Sequence, residues 1–160
     1  MISPEVRQLI IIMLNSIMNT TEITKRIEMR TALFEEEYHT ICAAVNVLDY
    51  SKERIQKQLD PDDKMLALLQ DLERTKEKYA QDLEPLIRKR EMYLNTQNFL
   101  KGLYYPLDEI MTGLYIKHSK EKDIRISLGL SIPEFIETHE EGIEATAQFL
   151  KENGYEPEGD

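Results

Sequence analysis

Cysteine, tryptophan, glycine and proline are all scarce in this 160-residue sequence. It contains one cysteine, no tryptophan, six glycines and six prolines. The single cysteine, Cys42, cannot form a disulfide within the chain, and thiolate zinc sites need several cysteines at short spacings. The sequence therefore excludes a disulfide scaffold and a cysteine zinc site, and we predict a reducing, cytoplasmic location.

Long apolar runs are also missing. The longest, residues 9–14, has six residues, whereas a helix that spans a bilayer needs about 20. The first residues show no basic segment followed by a cleavage site, so we expect neither a signal peptide nor a membrane helix. The 41% of hydrophobic residues is nevertheless enough for a chain of this length to bury a core.

Acidic side chains outnumber basic ones, 30 to 20, which gives a net charge of −10. Binding to DNA, RNA or an anionic membrane surface requires a surplus of lysine and arginine, so these partners are disfavoured. The excess charge is unevenly distributed, because residues 123–160 contain ten acidic and two basic side chains. The rest of the chain is close to neutral, and the acidic surface is expected near the C-terminus.

Between the sparse glycines and prolines, apolar residues recur at the period of an α-helix. Ser3 and Ser131 each precede a proline-containing first turn and predict helix starts, whereas Asn153 and Gly154 predict a helix end. No glycine or polar turn surrounds Pro85, so a kinked helix is favoured there over a hairpin. We predict an all-α, elongated antiparallel helical bundle with two long helices, at about 20–59 and 61–103, and shorter N- and C-terminal helices.

The apolar stripes predict how these helices pack. One seven-residue seam in the second helix is formed by Ile27, Phe34, Ile41, Leu48 and Ile55, with Tyr38, Val45 and Leu59 beside it. The next long helix is expected to use Met65, Leu69, Leu72, Tyr79, Leu83, Leu86, Ile87 and Leu94. Long seams and a first helix that is apolar almost all round favour a homo-oligomer, with a dimer as the simplest case. We predict one domain, residues 1–153, followed by a frayed acidic tail, residues 154–160.

The segment before the last helix is interpreted as two pieces. A short helix from Pro106 to about Lys120 would place His118 on the same face as Tyr115. Residues 121–130 then alternate apolar and other side chains, at Ile124, Ile126, Leu128 and Leu130. This two-residue period predicts an extended connector.

His118 and His139 are the candidate metal ligands, because each falls within an apolar stripe of one of the last two helices. Together with Glu140 they could hold zinc or iron, and a metal-binding bundle or metalloenzyme is the alternative function. The simpler interpretation is that each histidine lies in or beside the core and is bonded to a carbonyl or a tyrosine. No other cofactor is predicted.

Three tyrosines around Pro106, namely Tyr104, Tyr105 and Tyr115, form a second candidate site. They could line a pocket for a small ligand, which is a further alternative function. Tyrosines at a helix junction can also simply cover the core with the hydroxyl in water.

The last helix carries four glutamates that predict one acidic face: Glu134, Glu137, Glu141 and Glu144. No phosphate-binding glycine loop and no nucleophile elbow occurs in the sequence. We therefore predict a non-enzymatic helical protein that acts by assembly or partner binding. Its acidic C-terminal helix is the expected docking face for a basic protein surface.

Overall fold

The computed structural model describes residues 2–54 and 61–157, with side chains for residues 2–47 and 63–157. This described part contains six α-helices and no strand, which confirms the all-α prediction. The helices are α1 (Pro4–Ser16), α2 (Thr20–Arg54), α3 (Pro61–Lys101), α4 (Leu107–Tyr115), α5 (Glu121–Leu128) and α6 (Ile132–Glu152). None of the described helices is long and apolar enough to cross a membrane.

The predicted helix boundaries at the two serines are confirmed. Ser3 caps α1 and accepts a hydrogen bond from the Val6 N–H at 3.2 Å. Ser131 and Glu134 form a reciprocal capping box at the start of α6. Each bond satisfies an N–H group that has no partner within the helix.

Contacts between helices divide the chain into two compact units. Unit 1 consists of Met1–Thr21 and Lys89–Asp160, and unit 2 consists of Glu22–Arg88. The helix α3 therefore contributes its first part to unit 2 and its last part to unit 1. The prediction of one domain over residues 1–153 does not distinguish these units.

Unit 2 is an antiparallel pair formed by α2 and the first part of α3, as predicted. The rings of Phe34 and Tyr79 lie 5.2 Å apart between centroids, and Arg30 lies 3.8 Å from Asp82. Moving forward along α2 thus moves backward along α3. Phe34 and Tyr38 are half-buried in this seam, whereas the predicted seam residues Leu48, Ile55 and Leu59 lie outside the described side chains.

The inward face of α3 differs from the prediction at several positions. Leu69, Ile87 and Leu94 are exposed by 47%, 38% and 43%, so their assignment to the packed face is wrong. Thr75 is buried instead, at 8% exposure, and Leu68 is half-buried. A stripe of alternating three- and four-residue steps explains this, because it includes Leu68 and Thr75 and leaves Leu69 at its edge.

Pro85 lies inside α3, which continues as helix on both sides of it. The alternative of a hairpin at this proline is therefore wrong. Proline lacks the N–H that would bond to the carbonyl one turn earlier, but the exposed ring tolerates the loss at the helix surface.

Unit 1 contains the main core. It is built from side chains of α1, the end of α3, α4 and α6, each of which contributes residues that are almost completely buried. Phe99 of α3 stacks on Phe149 of α6 with centroids 4.4 Å apart. The largest of the fully buried side chains are Ile10, Met13, Leu14, Ile17, Tyr93, Thr96, Leu100, Leu107, Ile110, Met111, Ile143 and Leu150.

Residues 121–128 form α5, so the prediction of an extended connector is wrong. Ile124 packs closely on Gly113 of α4 and is 8% exposed, whereas Ile126 is 60% exposed. The apolar residues at positions 124 and 128 share one helical face, which fits the observed period better than alternation does. Gly129 ends α5 with φ +68°, a left-handed conformation that glycine adopts without strain.

The helix α4 ends at Tyr115 and not near Lys120. His118 follows with φ +52°, and the Ser119 N–H donates to the Gly113 carbonyl at 2.8 Å. These backbone bonds turn the chain away from the helix axis. His118 is consequently exposed, and its placement on the apolar face beside Tyr115 is wrong.

The chain after α6 is held in place at Tyr155, within the segment predicted to fray. The Tyr155 N–H donates to the Leu150 carbonyl at 2.9 Å, and the Asn95 side-chain amide donates to the Tyr155 hydroxyl at 2.7 Å. The predicted helix end at Asn153 is confirmed. Residues 158–160 lie outside the described part of the chain.

Candidate functional site

The four glutamates of the predicted acidic face are all exposed on α6. At about 100° per residue, Glu137, Glu141 and Glu144 fall within roughly 60° of one another and on the side opposite the buried Thr146. The buried face of α6 is formed by Phe135, Gly142, Ile143, Thr146 and Leu150. Ile136 is 55% exposed because it lies at the edge of this face.

Two members of the acidic face have structural partners. The Glu134 carboxylate accepts the Ser131 N–H at 2.9 Å as part of the capping box. The Tyr104 hydroxyl donates to the Glu141 carboxylate at 3.4 Å. Within the described side chains, no lysine or arginine forms an ion pair with Glu137, Glu141 or Glu144. The negative charge of these three residues therefore faces solvent.

Glu140 is the exception among the glutamates in the middle of α6. Arg7 of α1 donates to it with Nε, at 2.9 and 3.0 Å to the two carboxylate oxygens, and also with its terminal nitrogen. The hydrogen bonds from Arg7 lower the pKa of Glu140 below its ordinary value, and the same bonds to the Glu140 carboxylate raise the pKa of Arg7. The pair joins α1 to α6. Because Arg7 neutralises the charge of Glu140, this glutamate does not add to the charge of the acidic face.

Next to this ion pair, Tyr115 of α4 is hydrogen-bonded to His139 of α6, with 2.6 Å between the hydroxyl and Nε2. Burial lowers the pKa of His139 and raises the pKa of Tyr115 to about 12. Both groups are therefore neutral at pH 7, and the imidazole tautomer decides which of them donates in this hydrogen bond.

The structure does not bring the predicted metal ligands together as a site. His118 is exposed in the loop after α4, the Nε2 of His139 is occupied by Tyr115, and Glu140 is paired with Arg7. The described residues contain no group of three or more His, Cys, Asp or Glu side chains placed to hold a metal ion. His139 instead adopts the simpler predicted arrangement, a bond to a tyrosine.

The three tyrosines do not share a pocket either. Tyr104 and Tyr105 are 67% and 69% exposed, whereas Tyr115 is 5% exposed and is bonded within the core. A surface cavity of about 190 Å³ lies elsewhere, between α4 and α5. Its lining is formed by Glu109, Gly113, Lys117, Ser119, Asp123, Ile124, Ser127 and Leu128. None of the three tyrosines contributes to it.

Acidification should lower stability in two steps. Because the pKa of His139 is lowered in the folded state, the unfolded chain binds a proton more readily, so stability falls as the pH drops below 6.5. The lowered pKa of Glu140 adds a second loss below 4.5. Urea unfolding at several pH values should show that His139→Gln weakens the first step, whereas His118→Gln leaves it unchanged. Equal profiles for both variants would contradict the assignment.

Alkaline pH should also destabilise the fold, through Tyr115. Its pKa is raised from 10 to about 12, so its contribution is complete below pH 10 and is lost as the pH rises towards 12. Tyr115→Phe should flatten this limb of the stability profile, and the exposed Tyr104→Phe should not. A profile in which Tyr104→Phe has the larger effect would refute the burial argument.

No protein-family model matches the sequence, and no curated protein or solved structure is detectably similar to it. The fold and the surface therefore define only a class, an all-α helical protein.

Sequence reasoning missed the Arg7–Glu140 pair, although the position of Arg7 on the flank of the buried α1 stripe was a usable signal. A basic residue at the edge of an apolar face commonly reaches a neighbouring helix.

Proposed function

We propose that this chain is a non-enzymatic helical assembly protein that forms a homo-oligomer, in the simplest case a dimer, and binds a basic protein surface through the acidic face of α6. The observation that supports binding is the segregation of carboxylates on α6. Glu140 is neutralised by Arg7, and Glu134 caps the helix. Glu137, Glu141 and Glu144 remain exposed on one side.

Such a surface suits a basic partner for electrostatic reasons. Carboxylates along one helix face make the local electrostatic potential strongly negative. This potential accelerates the encounter with a basic protein and disfavours binding of acidic proteins. The face is held on a rigid support, because the opposite side of α6 is buried in unit 1. The carboxylates are consequently presented at fixed helical spacing.

The test uses a fluorescent helical peptide with lysines spaced three and four residues apart as the probe. Wild-type protein should bind it, and Glu137→Lys/Glu141→Lys/Glu144→Lys should reduce the affinity at least about tenfold, because like charges across an interface are strongly unfavourable. Fluorescence anisotropy measures the affinity. Binding should weaken as the salt concentration rises from about 0.1 M to about 1 M, where the screening length falls from ~10 to ~3 Å.

The matched control reverses three exposed glutamates of unit 2, in the variant Glu28→Lys/Glu35→Lys/Glu73→Lys. It changes the net charge by the same amount and leaves α6 untouched. If this control weakens peptide binding as much as the α6 variant does, binding follows total charge and the docking face is refuted.

A further inference from the structure

The helix pair of unit 2 leaves much of its apolar surface uncovered. Among its described residues only Ile23 and Thr75 are buried. On α2, Met29 is 67% exposed and Leu33 is 53% exposed. Two helices alone cannot enclose a core, so such a pair is commonly completed by further helices.

These two apolar residues belong to a continuous stripe along α2. At about 100° per residue, six exposed side chains cover roughly 120° of the helix, centred roughly 120° from the Phe34 seam that faces α3. We name this surface the outer stripe of α2. Over residues 25–37 it consists of Lys25, Arg26, Met29, Leu33, Glu36 and Glu37, and the exposed Glu22 and Thr40 continue it at its two ends.

The charges of the outer stripe are arranged symmetrically with opposite signs about Thr31. Arg26 and Glu36 each lie five residues from Thr31, and Lys25 and Glu37 each lie six residues from it. Met29 and Leu33 occupy the middle. A surface of this kind complements itself when a second copy runs in the opposite direction, because each basic end then meets an acidic end.

We propose that the outer stripe of α2 is a self-association surface, on which α2 of a second copy of this chain docks antiparallel with its two-fold axis beside Thr31. The proposal rests on the self-assembly part of the proposed function and names its surface. The two helices would overlap over about 23 residues, or roughly 34 Å, from the start of α2 at Thr20.

The lateral positions of the charges fit this arrangement. In an antiparallel pair related by a two-fold axis, one edge of the contact meets the same edge of the partner helix. Arg26 and Glu37 lie on one edge of the outer stripe, and Lys25 and Glu36 lie on the other. Arg26 of one copy therefore meets Glu37 of the other, and Lys25 meets Glu36. Met29 packs on Leu33 in the centre.

The bonds that these charged groups make within the chain do not prevent the pairing. Arg26 contacts Glu22 at 3.0 Å on the same helix, and Glu37 accepts the Tyr79 hydroxyl at 3.0 Å. Both are exposed contacts, of the kind that contributes little to stability. A carboxylate also has room for further donors, so Glu37 can keep Tyr79 and still accept from the second copy.

The test exchanges charges between the two ends of the outer stripe in the full chain. Lys25→Glu/Arg26→Glu makes both ends acidic, and Glu36→Lys/Glu37→Lys makes both ends basic. Each variant alone should associate at least about tenfold more weakly than wild type, because like charges then face each other. An equimolar mixture of the two should associate again, and so should the fourfold variant that carries all these changes.

Sedimentation equilibrium between about 1 and about 100 μM gives the mass of each sample over the range where modest interfaces associate. Far-UV circular dichroism confirms that the variants are helical. The matched control, Glu28→Lys/Glu35→Lys, reverses two exposed charges on another side of α2 and should associate like wild type.

Each outcome decides a specific point. A wild-type monomer throughout this range would overturn both the proposed self-assembly and its surface. A wild-type oligomer that none of the variants weakens would overturn the outer stripe alone. Loss of association in the control as well, or a fourfold variant that stays monomeric, would overturn antiparallel pairing on this surface.

Discussion

Replacing Gly142 by valine should reduce the free energy of unfolding of unit 1 by about 3 kcal/mol, the cost of strong overpacking in a core. A Cβ on this residue would contact the sulfur of Met111 and lie 2.7 Å from its Cγ. Met111 is fully buried, and side chains in a close-packed core have little room to shift. The clash would therefore push α4 and α6 apart.

The size series at this position provides the check. Gly142→Ala should cost less than valine, because alanine gains about 1 kcal/mol in helix propensity while its single methyl group still meets Met111. Gln148→Val, on the exposed side of α6, should change stability by less than about 1 kcal/mol. Urea unfolding and amide hydrogen exchange in α4 and α6 measure the differences. A valine variant as stable as wild type would show that the two helices do not approach this closely.

Leu14→Ala should destabilise unit 1 by about 3–4 kcal/mol, within the range for a large buried side chain that leaves a cavity. Leu14 has none of its surface exposed, and the neighbouring core residues of α1 are equally buried. Because α1 packs on both α4 and α6, closing a cavity in its buried face would require more than one helix contact to adjust.

Leu9→Ala is the matched control, since it removes the same atoms from the same helix. Leu9 is 36% exposed, so its loss should cost less than about 1.5 kcal/mol. Urea unfolding of the two variants side by side would then separate burial from residue type. Equal destabilisation would mean that α1 is buried on all sides, for example against another chain.

The helices that begin with a capping serine were predictable, because the signal is local. Ser3 and Ser131 satisfy N–H groups that are only three residues away. The α1 sequence, in contrast, is apolar almost all round and does not show which side faces inward. Leu9 and Leu14 have the same side chain, and only the neighbouring helices decide that one is exposed and the other is not.

The segment after α4 was misread because short patterns are ambiguous. Ile124 and Leu128 fit both an alternating strand-like period and one face of a helix, and eight residues are too few to distinguish the two. The close approach of Ile124 to Gly113 selects the helix, and that contact is not visible in local periodicity. The early end of α4 likewise depends on backbone bonds of a loop that contains neither glycine nor proline.

The candidate site was predictable to the extent that it depends on helical spacing. The exposed positions of Glu137, Glu141 and Glu144 follow from the period of α6 alone. The partner of Glu140 does not, because Arg7 is 133 residues away in the sequence. The bond between Tyr115 and His139, which join different helices, is likewise not visible in the period of either helix.

Unit 1 is built from both sides of unit 2 in the sequence, and this has a consequence for its synthesis. α1 is translated before α6, on which it packs, and α6 follows about 130 residues later. At ~5–20 residues per second, the apolar α1 waits on the order of 10 s for its partner. During that interval the apolar side chains of α1 are exposed to chaperones that bind nascent chains. A chain that ended within α5 would lack α6, and α1 would then keep apolar surface exposed that α6 normally covers.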